Sequence, residues 1–364
     1  ISDKSKMGSK LWRDAASLMI IGRAASNTCL KNGKAENRIR NIDYNILFLK
    51  RSQKSQFMPN AYVFPGGVVE SSDFSMAWMD IFEKCGYTVD YLKNNFRFNV
   101  PLPELYINNN KSILPEIGFR IGALRETFEE SGILLDNTRS INAMNSSTIE
   151  KWRQAVRDDP SQFLSLFQML GSCPAIWNLH EWSGWLTPTV FKGKKRRFDT
   201  AFFITFMDSI PKVIHDNSEM EDLQIVSPDS IIDQWRKEKL WLAPPQVYEV
   251  SRLLNFNCFE KLKLFAESRA RKGMWWWMPV MYPAKDGIIA VYPGDDLYPN
   301  DPDYLGENDV TRIDTTMYES RMDAVHLHRM EQQGLFYNRC IMNIKPSCGH
   351  LNPIDPIEYK SSKL

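Results

Sequence analysis

The segment Arg125-Glu126-Thr127-Phe128-Glu129-Glu130-Ser131-Gly132-Ile133 constrains this chain more than any other. Residues 116–131 read as one helix. Ile117, Ile121, Leu124 and Phe128 recur at i, i+4, i+7 and i+11 as an apolar stripe, and Gly132 is a natural stop. The stripe needs a sheet or other helices to cover it. On the opposite side Glu126, Glu129 and Glu130 stand at i, i+3 and i+4, so three carboxylates share a face. Arg125 lies one turn before Glu129 and can orient it. Adjacent carboxylates repel, and two readings follow. They bind a hard divalent ion such as Mg²⁺, which takes oxygen ligands, keeps several waters and bridges to phosphates. Or they form a solvated acidic face. Spacing alone leaves both open.

With 364 residues, 43% of them hydrophobic, the chain can bury the core of one large domain or two ordinary ones. Its 45 basic and 44 acidic residues give a net charge of +1, which argues against a dedicated nucleic-acid binder. No apolar run reaches the roughly 18 residues of a membrane span. Cys29, Cys85, Cys173, Cys258, Cys340 and Cys348 form no CxxC pair and read as reduced, inert thiols inside a cell. No secretory signal is recognised.

Around the acidic helix the chain alternates between strand and helix patterns. Strands are expected at 16–24, 43–50 and 61–64, the last leading into the turn Pro65-Gly66-Gly67. Residues 71–115 have the look of an insertion, with a helix near 76–84. Further strands are expected at 198–207 and 223–226, and Ser227-Pro228-Asp229 opens a helix toward Trp235. One helix is expected from Gln246 to about Arg269. A β-rich extension follows, with strands at 274–282, 288–292, 324–330 and 335–344. The mixture predicts an α/β or α+β fold, a mixed sheet covered by helices.

The block Arg125–Ile133 resembles the second half of the Nudix box, G-x5-E-x7-R-E-U-x-E-E-x-G-U, where U is a bulky apolar residue; Thr127 and Ile133 occupy the first and last U. Phe64-Pro65-Gly66-Gly67 resembles its lead-in, with Gly67 as the box glycine. Asp73 stands where the pattern has Glu, and positions 74 to 124, 51 residues, separate it from Arg125 where the pattern has 7. An insert inside the box marks one branch of the Nudix family, the peroxisomal coenzyme A diphosphatases. Arg51-Ser52, Phe57-Met58-Pro59, Trp185-Leu186-Thr187-Pro188, Arg196-Arg197-Phe198-Asp199-Thr200, Leu242-Ala243-Pro244-Pro245-Gln246 and Tyr292-Pro293-Gly294-Asp295 resemble other landmarks of that branch. The separate arginine-and-glycine coenzyme A signature of other peroxisomal members is missing.

The resemblance implies a Nudix α/β/α sandwich over 7–252 with an insert at about 74–116. A C-terminal helix and β-rich extension over 253–358 and a tail at 359–364 complete the division. It implies Mg²⁺ or Mn²⁺ as cofactor, with Glu129 and Glu130 as the metal pair and Glu126 as a third ligand or base. Arg125 would orient the carboxylates, and Gly66 and Gly67 would let the backbone approach phosphates. A further catalytic carboxylate is expected from a later loop, Glu219 ahead of Glu221. The implied reaction cleaves coenzyme A or acyl-coenzyme A to 3′,5′-ADP and the (acyl-)4′-phosphopantetheine. NADH, ADP-ribose or a capped nucleotide is the alternative substrate, and a non-catalytic nucleotide-binding module the alternative class.

Weaker signals complete the reading. Lys192, Lys194, Lys195, Arg196 and Arg197 form a basic cluster that could hold an extra phosphate, Arg196 and Arg197 above all, or be a solvated loop. Trp275-Trp276-Trp277 reads as sheet packing ahead of base stacking. His326 and His328, on one face of an expected strand, read as structural ahead of a metal pair. Ser362-Lys363-Leu364 matches a peroxisomal import address, which makes an import receptor a partner and the peroxisome the expected location.

Overall fold

The first strand shows why its sequence is apolar without alternating. In β1 (Trp12–Arg23), Ala16, Leu18 and Ile20 face one core while Met19 and Ile21 face another, and all five are shielded from solvent. A strand covered on both faces has no polar side. The next, β2 (Tyr44–Arg51), repeats the arrangement, with Leu47 and Leu49 on one side and Ile46 and Phe48 on the other. These strands form the centre of a mixed sheet in a computed structural model that describes residues 12–24, 42–96, 104–107, 113–138, 144–191, 197–211 and 220–359.

The sheet continues with β3 (Ala61–Val63), β4 (Gly66–Val68), β5 (His180–Leu186), β6 (Arg197–Met207), β7 (Met220–Val226), β8 (Trp241–Leu242) and β9 (Trp275–Trp277). Its order is β8-β3-β2-β1-β6-β5-β9, with β4 also on β1 and β7 on β2. The pairs β1–β6, β3–β8 and β5–β9 are parallel and the others antiparallel. A second, antiparallel sheet runs β10 (Val280–Pro283), β11 (Ile288–Val291), β12 (His328–Gln332), β13 (Asn338–Met342).

Helices cover both faces of the first sheet, the α/β sandwich expected. One face holds α1 (Ala77–Lys84), α2 (Val89–Phe96), α3 (Glu104–Ile107), α4 (Pro115–Ser131), α5 (Ser146–Asp158) and α6 (Gln162–Leu170). The other holds α7 (Pro228–Arg236), α8 (Pro244–Leu253), α9 (Phe259–Ala270) and the inner face of the second sheet; the short α10 (Met317–Met322) packs with that sheet's outer face. The segment between the two halves of the acidic motif belongs to the first core: Trp78, Phe82, Leu92, Phe96 and Tyr106 are buried with Ile117 and Phe119 of α4. No helix among the described residues is long and apolar enough to cross a membrane.

Two elements differ from expectation. The helix over 246–269 is two, α8 and α9, broken at residues 254–258. The break is set from outside: Asp43, at the start of β2, accepts a hydrogen bond from the Phe259 amide at 2.6 Å and so starts α9. The strand over 274–282 is also two. Trp275–Trp277 pairs with β5 in the first sheet, and the chain crosses at Met278 and Pro279 into the second. Proline has no N–H for a ladder, which fits a crossing point. Trp275 and Trp277 are buried; Trp276 donates to Asp199 Oδ1 at 2.7 Å and stacks on Tyr304.

Candidate active site

The site is built where β4 passes over α4. Strand β4 pairs with β1, Ser17 opposite Gly66 and Ala16 opposite Gly67, and the Leu18 amide donates to the Pro65 carbonyl at 2.8 Å. Gly66 has φ 153°, and a Cβ there would lie 2.4 Å from the Ala16 carbonyl oxygen. A Cβ on Gly67 would lie 2.4 Å from Glu126 Oε2. Only glycine brings the backbone this close. As a result the Gly66 amide donates to Glu130 Oε2 at 2.9 Å.

Arg125, 1% exposed, joins the parts. Its Nη1 donates to Glu126 Oε1 at 3.0 Å and Glu129 Oε1 at 2.6 Å, and its Nη2 to the Val68 carbonyl at 2.7 Å. Its other edge grips Asp73 with two bonds, Nε to Oδ1 at 2.9 Å and Nη2 to Oδ2 at 3.1 Å. This fork-to-carboxylate geometry is the strong form of the pair. Asp73 sits in a 3₁₀ turn, Ser71–Phe74, laid against α4 at two glycines. A Cβ on Gly118 would strike Phe74 at 2.1 Å, and one on Gly122 would meet Val69 at 2.6 Å and Asp73 Oδ2 at 3.0 Å. Two helical glycines each cost about 1 kcal/mol of propensity; here they let the turn dock. The segment from 74 to 124 leaves and returns, and the ion pair closes the split motif.

The end of α4 is fixed as firmly. Gly132 adopts φ 74° and returns its amide to the Phe128 carbonyl at 2.8 Å. Arg153 of α5, fully buried, donates to the carbonyls of Glu129 at 2.9 Å and Glu130 at 3.1 Å, so a cation meets the helix C-terminus. Nothing in the sequence pointed to Arg153. Asp73 had a signal, its acidic character at the pattern's acidic position.

Burial pushes the Glu126 carboxyl up to about 8; Arg125 pulls it down, while Glu129 and Asp73 push it further up. Glu129 is raised in the same way, again by burial first. A cation beside these groups would restore their charge. Among the described residues no three His, Cys, Asp or Glu side chains converge into a ready cage. Carboxylate oxygens fit a hard divalent ion that keeps its waters and completes its shell with substrate phosphates, and not an all-protein cage.

Gly66, Gly67 and Val68 also form part of the wall of a cleft. The motif segments scattered through the sequence meet there: Arg51 at the end of β2 with Phe57 and Met58 beyond it, residues 185–188 at the end of β5, Phe198 and Thr200 of β6, residues 244–246 at the start of α8, and Tyr292. Met281, Ala290 and Gln332 of the second sheet complete it. A buried network holds the junction: Glu249 of α8 accepts from Trp182 Nε1 at 2.7 Å, Ser183 Oγ at 2.7 Å and Trp185 Nε1 at 2.8 Å, with Arg252 at 3.2 Å.

Comparison with known proteins decides the family. Residues 12–253 match the NUDT19 Nudix domain, and residues 281–343 the NUDT19 C-terminal domain. The chain belongs to the NUDT19 family of Nudix hydrolases. It is 37% identical to the acyl-coenzyme A diphosphatase NUDT19 of Xenopus laevis, covering 98% of this chain and 99% of the relative. It is 32% identical to the protein of that name from Homo sapiens, covering 99% of this chain and 100% of the relative. A Nudix hydrolase structure from Alicyclobacillus acidocaldarius covers 74% of this chain and 99% of its own, at 16% identity and TM-score 0.49. Nudix hydrolases use divalent metals, and α4 is the Nudix helix of this one.

The remaining candidates separate into those at the Nudix helix and those away from it. Glu126, Glu129, Glu130, Arg125, Gly66 and Gly67 come together as described. Arg197 is buried and its guanidinium is occupied, Nε by the Thr187 carbonyl at 2.9 Å and Nη1 by the Tyr304 carbonyl at 2.7 Å, so it braces β6 and leaves no fork for a phosphate. Arg196, residues 192–195 and Glu219 lie outside the described residues, as does the tripeptide 362–364. Glu221, at the start of β7, is engaged by the residues that follow β2, accepting from Ser52 Oγ at 3.1 Å and the Gln53 amide at 3.0 Å. His326 and His328 do not meet: His326 is exposed beside Asp296, while His328 is buried with its ring nitrogens 2.7 Å from the Tyr248 hydroxyl and 2.8 Å from the Pro293 carbonyl. Cys173, Cys258 and Cys340 are buried.

Proposed function

We propose that this chain hydrolyses the diphosphate of coenzyme A and its thioesters, using Mg²⁺ or Mn²⁺, to 3′,5′-ADP and 4′-phosphopantetheine or its acyl form. The observation that carries the reading is the junction of Glu126 and Glu130 of α4 with the Gly66-Gly67 backbone, itself part of the wall of a cleft, with Glu129 tied to Glu126 through Arg125. The names of the relatives matched over nearly their whole length support the substrate class.

Glu129 and Glu130 are the residues to hold the metal, with Glu126 as third ligand or base. A bound divalent ion neutralises diphosphate charge and lowers the pKa of water. Arg125 keeps Glu126 and Glu129 aimed through their Oε1 atoms. Glu126 Oε2, next to Gly67, is the oxygen we assign to take a proton, with a neighbouring cation keeping that buried carboxyl charged. Gly66 and Gly67 admit the phosphates to van der Waals contact with the backbone. Glu219, which precedes β7 in the sequence, is proposed as an additional carboxylate.

The deciding experiment is a product assay of the purified protein with Mg²⁺ against coenzyme A, an acyl-coenzyme A, NADH, ADP-ribose and a capped nucleotide. The expected products are 3′,5′-ADP and the phosphopantetheine. Turnover of another diphosphate with coenzyme A untouched would overturn the substrate. We also propose peroxisomal residence, on the strength of Ser362-Lys363-Leu364.

A further inference from the structure

We infer that the cleft receives the pantetheine arm of the substrate, not its nucleotide end, and that the side-chain amides of Gln246 and Gln332 read that arm. The inference rests on the coenzyme A reading and names which end of that molecule enters the cleft. The two ends differ in chemistry. The nucleotide end carries an extra phosphate and calls for cationic forks. The pantetheine arm is uncharged, aliphatic for most of its length, and interrupted by two amides. It calls for apolar walls with a few neutral hydrogen-bonding groups.

The cleft has the second character. Its walls include Phe57, Met58, Phe198, Pro244, Pro245 and Met281. Among the described lining residues one side chain is charged, Arg51, and its Nε is spent on the Phe57 carbonyl at 3.0 Å. The long neutral polar side chains in the lining are Gln246 and Gln332. Gln246, at the third position of α8, is 6% exposed and makes no side-chain hydrogen bond among the described residues. Its amide atoms are not among the buried side-chain groups left without a partner, so the carboxamide reaches the cleft and is open to a ligand. Gln332 comes from β12 of the second sheet, and its Nε2 donates at 3.3 Å to the Met330 sulfur, a weak acceptor that a ligand carbonyl displaces readily. Both offer donor and acceptor to an amide, the match for the two amides of the arm. Because Met281 and Gln332 belong to the second sheet, the C-terminal extension supplies part of the binding wall.

The two reaction products separate the two ends, so calorimetric titration of the intact protein with each tests the inference. Gln246→Met and Gln332→Met keep side-chain length and remove the amide. Each is expected to weaken 4′-phosphopantetheine about tenfold and leave 3′,5′-ADP within about twofold. A loss confined to 3′,5′-ADP would put the nucleotide in the cleft and overturn the inference. Unchanged affinity for both products, in variants whose urea midpoint matches the parent, would overturn it as well. The two substitutions lie on different elements, so a folding defect in one leaves the other to decide. If the parent cleaves coenzyme A but these titrations fail, the inference alone falls. If the parent neither cleaves coenzyme A nor binds either product, the functional reading falls and the inference with it.

Discussion

Replacing Asp73 with asparagine tests whether the split motif is closed by charge. Asp73 Oδ1 accepts from Arg125 Nε, and Oδ2 accepts both from Arg125 Nη2 at 3.1 Å and from the Glu70 amide at 2.8 Å. Asparagine keeps one acceptor and turns the other into a donor. In either orientation an N–H group faces N–H groups in a site where Asp73 and Arg125 are each 1% exposed. Breaking a buried ion pair from one side costs about 3–5 kcal/mol. Arg125 keeps Glu126 and Glu129, so the lower figure applies, about 3 kcal/mol. With a urea slope on the order of 3 kcal/mol/M the midpoint falls by about 1 M. The guanidinium should also shift, carrying Glu126 and Glu129 with it, and a displacement near 1 Å in such a site lowers turnover by about 10²-fold. Asp73→Glu, which restores the residue of the family pattern, should not be neutral. Gly122 lies against Oδ2 and leaves no room for a methylene, so overpacking should cost about 1–3 kcal/mol. Urea denaturation and steady-state turnover on the parent and the two variants decide. If Asp73→Asn leaves the midpoint within roughly 0.5 M urea of the parent, half the shift worked above, and turnover at the parental rate, the clamp is refuted.

Glu130→Gln keeps an acceptor for the Gly66 amide and removes a charge, so it should fold as the parent and lose turnover on the order of 10³-fold at saturating Mg²⁺; a few-fold loss would remove Glu130 from the metal. Burial lowers His328 to about 3 and His180 to about 4, so both stay neutral in the fold while the unfolded chain takes up protons below about 6.5. Their contribution is complete above that pH and is lost as pH falls toward those values. The raised Glu126 works in the opposite direction over this range, so the urea midpoint should fall more from about pH 7 to 5 in the parent than in His180→Gln, and an equal fall would refute neutral burial of His180. Deleting Ser362-Lys363-Leu364 should leave an N-terminally tagged protein cytosolic on imaging with the purified enzyme still active; continued overlap with a peroxisomal marker would sink the address.

Elements with a strong local pattern were legible in the sequence. The stripe and Gly132 marked α4, and the apolar runs marked β1 and β2. The carboxylates and Arg125 lie within two turns of one helix, so their proximity followed from helical geometry alone. What failed depended on distant partners. The apolar pattern runs on through Leu254 and Phe256, and only Asp43 shows why α9 restarts at Phe259. The aromatic run 274–282 has no local sign that its halves join different sheets. Counting charge placed Arg197 in a phosphate cluster, whereas its position on β6 turns it inward with Asp199. Nearly all of α4 is buried, including Glu116, Arg120 and Glu130, because the insert covers the side that a two-faced helix would give to solvent.

That insert makes the site late to form. Bringing Asp73 to Arg125 means closing a loop over 51 residues where the uninterrupted pattern spans 7, an added chain-entropy cost of about 1.8 kcal/mol. The loop is not idle, since Trp78, Phe82, Leu92 and Phe96 condense onto α4 as it closes. Arg125 therefore meets its carboxylate only after the insert has collapsed onto the helix. Catalytic competence should appear at the end of folding. On gentle denaturation it should vanish with the first opening of the insert, while the central strands β1, β2 and β6 still hold their amide protons against exchange.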